Sequence, residues 1–171
     1  LYEAEGRLAM IPWDYNLAFG GFGMTDAGVA VNAPIDTPVV GVAMEERPMV
    51  SWIFEDEAYW VRYHEVYGAF LQRWFAEGRF RETVAQAVEL IGPYVERDPT
   101  KFCTFAEFEA GVAALKAFCR LRGESVDGQL AGRVPSTAAA QAKDPGLLVD
   151  AGELDLRDMG GMEQAAGAAP G

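Results

Sequence analysis

Asp56-Glu57-Ala58-Tyr59-Trp60-Val61-Arg62-Tyr63-His64-Glu65-Val66-Tyr67-Gly68-Ala69-Phe70-Leu71-Gln72-Arg73-Trp74 is the stretch that decides how the chain is read. Its large aromatics, Trp60, Tyr63, Tyr67, Phe70 and Trp74, recur at spacings of three and four. That period places them along one face of an α-helix and marks the face toward a core. Asp56 stands where a helix N-cap belongs, and Gly78 is a natural end. Upstream, Pro48 fits a first helical turn and opens a short helix through about Phe54.

Downstream, Phe80, Val84, Ala87, Val88, Ile91 and Val95 predict a third helix, disturbed at Gly92-Pro93. Thr104 followed by Glu107 is a capping box for a fourth. Its inner stripe runs through Phe105, Phe108, Val112, Leu115 and Cys119, and Gly123 is the expected stop.

The flanks read differently. Leu1 to Ile11 reads as a β-hairpin around Glu3, Glu5 and Gly6, ended by Pro12. Trp13 to Glu46 holds Gly20, Gly21, Gly23, Gly28 and Gly41 with Pro34 and Pro38. It shows little periodicity, so a long loop is expected, and a loop of that length in a compact domain is commonly functional. The expected fold class is therefore α+β, mostly α: an N-terminal β-hairpin, a long loop and about four helices. Residues 1–134 form the expected domain. Residues 135–171, rich in Ala, Gly, Asp and Pro, are expected to be a low-complexity, disordered tail.

With 171 residues, half of them apolar, the chain suffices for one core. Fourteen Lys and Arg oppose 26 Asp and Glu, a net charge of −12. Such a field repels phosphate backbones and anionic lipid, which argues against nucleic acid as a partner. A basic protein or a divalent cation suits it better. No apolar run approaches a membrane span. Cys103 and Cys119 form no metal-ligand pattern; two small apolar residues in or beside a helix is the simpler reading, with a disulfide left open.

The chemistry concentrates in Ile11-Pro12-Trp13-Asp14-Tyr15-Asn16-Leu17-Ala18-Phe19-Gly20. A short strand there delivers one carboxylate, Asp14, to the mouth of a glycine-rich segment. Phosphoryl transfer needs a hard oxygen ligand in such a place, to hold a cation against nucleotide phosphates. Taken by itself, an aspartate after a strand is more often a turn-former. Gly20-Gly21-Phe22-Gly23 has no lysine-bearing helix after it and does not read as a phosphate loop. His64, the single histidine, has no second ligand beside it in sequence and reads as packed or half-exposed. Glu45, Glu46, Glu55, Asp56 and Glu57 suit helix starts.

This segment is similar to the signature of the CotH family of atypical protein kinases, named for a spore-coat protein. The likeness continues through Pro34-Ile35-Asp36-Thr37-Pro38, Arg47-Pro48-Met49, the stretch from Pro93 to Phe102, and Leu121 to Leu130. It covers roughly residues 1–134. The resemblance implies a kinase fold that uses ATP with Mg2+ or Mn2+ to phosphorylate Ser or Thr of protein substrates of a spore coat or bacterial surface. It implies that Asp14 is the metal-binding aspartate. Tyr15 and Asn16 follow it where Phe and Gly follow in classical kinases, and Asn16 has an amide oxygen that could reach the same ion or its waters.

In the family the catalytic aspartate and the N-terminal lobe precede this segment. The chain, which begins at Leu1, therefore reads as the C-terminal portion of such an enzyme, with no catalytic residue of its own and no turnover expected alone. The rival reading is a non-catalytic structural or interaction module of a spore coat or cell surface. A third is a metal-dependent hydrolase using Asp14, for which the sequence offers no converging ligand set.

Overall fold

The computed structural model describes residues 2–9, 11, 13, 15–20, 26–39 and 41–160. Six α-helices are described: α1 (Ala27–Val31), α2 (Pro48–Glu55), α3 (Glu57–Leu71), α4 (Arg79–Arg97), α5 (Phe105–Leu130) and α6 (Ala138–Lys143). A 3-10 turn, Tyr15–Phe19, precedes α1, and another, Leu156–Met159, follows α6. The helix starts follow local chemistry. Asp56 accepts from the backbone N–H groups of Ala58 and Tyr59. At α5, Thr104 accepts from Glu107 N, and the Glu107 carboxylate accepts from Thr104 N at 2.6 Å and from the Thr104 hydroxyl. Those bonds satisfy N–H groups that the helix cannot pair internally.

The α+β fold class is corrected: the protein is mostly helical, and no β layer takes part in its core. Only Tyr2–Ala4 and Arg7–Ala9 pair among the described residues, antiparallel, with Glu3 opposite Leu8. Glu3, Arg7 and Ala9 of that ribbon are exposed. A two-strand ribbon of three residues a side is too short to stand as an independent layer, so the expected N-terminal β-hairpin does not act as one.

Three further expectations change. Residues 13–46 are not one long loop, because α1 and a turn at Met44–Glu46 interrupt it. α4 runs unbroken to Arg97 with Pro93 inside it. α5 continues through Gly123 to Leu130. Gly123 does not stop it because its bare Cα faces Leu71 and Phe75, so the position serves helix packing. At Gly128 a Cβ would lie 2.5 Å from Val134 Cγ2, so only glycine lets the chain fold back there.

α5 is the central post. α1, α3, α4 and both 3-10 turns pack against it. The core unites Ala30 and Val31 of α1, Phe118, Cys119 and Leu121 of α5, and Leu156, with Phe19, Phe75 and Phe80 against them. Burial raises the Cys119 thiol to about 12, so it is an inert apolar filler, while Cys103 is exposed; both are free.

Residues 135–160, expected as part of a loose tail, are instead packed. Leu156 is buried, Asp36 N donates to Ser136 O, and Ala138 N donates to Thr37 Oγ1. The expected disorder of Gly160 to Gly171 falls almost wholly on residues outside the described set.

Candidate functional site

Asp14, the predicted metal ligand, lies outside the described residues; what is described is its immediate setting. Trp13 and Tyr15, its two neighbours in sequence, are both exposed, at 82% and 64%. The turn Tyr15–Phe19 starts directly after it. Phe19 is drawn inward, 6.5 Å ring to ring from Phe80. Gly20 follows with φ +81, close to Ala30 and Leu156. One end of the candidate segment is therefore open to solvent and the other is tied to the core.

Helix α1 resumes after the glycine-rich stretch, capped by Asp26, whose carboxylate accepts from Val29 N. It has five residues and no lysine, so it is no phosphate-binding helix. Its C-cap, Asn32, is 2% exposed and opens a polar seam through the core. Asn32 Nδ2 donates to Gly28 O and Val149 O, and its Oδ1 accepts from Ser125 Oγ and Val149 N. Gln129 joins by donating to Ser125 Oγ and accepting from Ile35 N.

The segment after Asn32 is then clamped from α3 and α5. Arg122 donates to Val31 O at 3.0 Å and Ala33 O at 2.6 Å. Tyr63 OH donates to Ile35 O at 2.8 Å. His64 Nε2 lies 2.7 Å from Asp36 Oδ1, which also accepts from Trp60 Nε1 at 3.1 Å. The Trp60 and His64 rings are in contact, tilted by 39° with centroids 4.1 Å apart. His64 is thus a half-buried structural partner of Asp36, in agreement with its packed reading. The pair was not legible beforehand, since its members stand 28 positions apart.

The rest of the aromatic stripe is shared between clamp and solvent. Tyr63 and Tyr67 are partly buried, and Phe70 and Trp74 are exposed at 51% and 36%. Among the described residues no group of three His, Cys, Asp or Glu side chains converges as a metal site. The hydrolase reading therefore gains no ligand set from them. No described helix is long and apolar enough to cross a membrane.

Tyr63 carries a pH signature. Burial, then Tyr67 and Asp36, raise its pKa, with Arg122 opposing them. The folded value lies above the roughly 10 of an unfolded tyrosine. Below about pH 10 both states hold the proton and the stability is intact. Above that pH the unfolded state releases its proton first, so stability falls as pH rises toward the folded value. Urea unfolding between pH 8 and 11 is expected to show that decline, and Tyr63→Phe to flatten it. Equal slopes for both proteins would contradict the assignment.

The fold and this segment together define a class: a mostly helical domain in which exposed Trp13 and Tyr15 lead into a turn, Tyr15–Phe19, that packs on α5. The family model described as CotH kinase protein matches residues 1–126. The chain belongs to that family, as its Pro-Trp-Asp segment leads one to expect. No curated protein and no solved structure matches it.

Proposed function

We propose that this chain is part of an atypical protein kinase that transfers phosphate from ATP to Ser or Thr of protein substrates, and that Asp14 binds the divalent metal. The carrying observation is that the family match includes the Pro12-Trp13-Asp14 segment. The exposure of Trp13 and Tyr15 on either side of Asp14 supports the reading, because Mg2+ keeps several waters and needs an open approach.

The donor chemistry also fits. A carboxylate at Asp14 and an amide oxygen at Asn16 are hard ligands of the kind Mg2+ or Mn2+ takes, and one carboxylate with nucleotide phosphates and water is a usual set. The bound ion would neutralise charge on the phosphates. The protein's part is to hold Asp14 in position through the turn at Tyr15–Phe19 and its anchorage at Phe19 and Gly20. A spore coat or bacterial surface is the setting the family name proposes for the substrates.

Calorimetry of Mg2+-ATP with the full chain tests this. Binding is expected for the wild type, and Asp14→Ala is expected to weaken it about tenfold or more, roughly 1.4 kcal/mol for each factor of ten. Binding that is indifferent to Asp14 would remove the proposal's basis.

A second reading, a non-catalytic interaction module, draws on the exposed aromatics Trp52, Tyr59 and Phe70. It expects no nucleotide binding at all.

A further inference from the structure

We propose that residues Val149–Met159, which lie beyond the family match, form a strap that positions the turn Tyr15–Gly20, which follows Asp14 in the chain, with Leu156 as its positioning residue. This rests on the reading of Asp14 as the metal ligand and extends it to a segment that reading does not involve.

The strap is fastened at two places. At its start, Val149 exchanges two hydrogen bonds with the Asn32 side chain, N–H to Oδ1 at 3.0 Å and O from Nδ2 at 2.9 Å. Near its end, the chain lies directly on α5. A Cβ at Gly111 would stand 2.6 Å from Asp158 O, so helix and strap touch backbone to backbone. Between these points the strap inserts Leu156, 6% exposed, into the core beside Ala30, Val31 and Phe118.

What Leu156 touches gives the strap its role. A Cβ at Gly20 would be 3.3 Å from Leu156 Cδ1 and 3.4 Å from Ala30 Cβ. One side chain therefore packs against both the residue that closes the turn after Asp14 and the helix where the described chain resumes. Gly20 has φ +81 and no side chain of its own to fix it. Its place is set by this contact and by Phe19, which leans on the same core. Tyr15 and Trp13 point to solvent, so the inner end of the turn is the end that holds its orientation. A carboxylate that must meet a cation within a fraction of an ångström depends on such support.

The test compares Leu156→Ala with Val126→Ala, a buried α5 residue outside this cluster, in the full chain and at a temperature where both are folded. Leu156→Ala is expected to raise the Kd for Mg2+-ATP about fivefold, within the range usual for coupling through packed contacts, and Val126→Ala less than about twofold. Leu156→Met is expected to recover most of the affinity. Should Leu156→Ala fail to fold, Leu156→Val is read against the same control. Equal weakening by the Leu156 and Val126 variants would overturn the strap's role.

Amide hydrogen exchange separates this proposal from the one beneath it. If the wild type binds no Mg2+-ATP, the kinase reading fails, and the strap stands or falls on exchange alone. Faster exchange confined to Tyr15–Gly20 in Leu156→Ala supports it. Exchange that rises evenly over the chain, or not at all in that turn, overturns it.

Discussion

Asn32→Ala is expected to destabilise the fold by about 3 to 4 kcal/mol, the sum of two or more orphaned polar groups at roughly 1 to 3 kcal/mol each. The side chain is almost wholly buried and makes four hydrogen bonds at 2.9 to 3.0 Å. Truncation leaves Val149 with neither its donor nor its acceptor partner. Ser125, with no exposed surface, keeps Gln129 as donor but loses the oxygen it donates to. No water replaces these bonds without opening the core beside Val31, which is fully buried. For a chain of this size the loss corresponds to a drop in Tm of about 10 °C. Ser125→Ala removes one donor and is expected to cost about 1 kcal/mol. The double variant should then fall short of the sum, because both substitutions break the same bond. Denaturant unfolding of the four proteins measures all of this, and a change below about 1 kcal/mol for Asn32→Ala would mean the seam is not a structural unit.

That seam also shows where reading from sequence runs out. The helices from Pro48 to Leu130 announced themselves because each carries a repeating signal: aromatics from Trp60 to Trp74, the Asp56 cap, the Thr104–Glu107 box. A five-residue helix such as α1 cannot complete two turns, so Ala30 and Val31 gave no period, although with Ile35 they are the buried apolar residues of the loop region. Asn32, Ser125 and Gln129 look like surface residues until partners more than 90 positions away are brought to them. Leu156 was one of several scattered leucines in an Ala- and Gly-rich stretch, and composition alone could not tell a strap from a tail. Gly123 signalled a helix end because the same residue type serves both a stop and a close packing point. The role proposed for Asp14 rests on the order of motifs around it and not on any local preference, since a lone carboxylate after a short strand is ordinary turn chemistry.

Arg122 carries the second large effect, and the reason is its choice of partners. Its guanidinium is part-buried and is spent on the carbonyls of Val31 and Ala33, with Tyr67 OH at 3.5 Å. Hydrogen bonds from a charged donor are worth about 1.5 to 3 kcal/mol each, roughly twice their neutral counterparts. These two carbonyls belong to the last residue of α1 and to the residue after its cap, where a helix leaves oxygens unpaired. Arg122 thus finishes α1 from α5 and fixes the direction in which the chain leaves toward Ile35 and Asp36. From there Tyr63, Trp60 and His64 take hold of it in turn. Arg122→Ala is expected to cost about 3 kcal/mol, from two lost charged bonds partly offset by hydration of the carbonyls. Arg122→Met keeps the apolar stem and should recover only the packing share, about a third of that loss. Arg122→Lys keeps a stem and supplies one point charge without the planar fork, and should fall between Arg122→Met and the wild type. The clamp predicts more than lost stability: in Arg122→Met, amide exchange should quicken at Ile35, Asp36 and Val39 before α4 responds. If all three variants unfold with wild-type midpoints, the chain's course after α1 is set without Arg122, and the polar clamp would reduce to the Asp36 and Ile35 contacts alone.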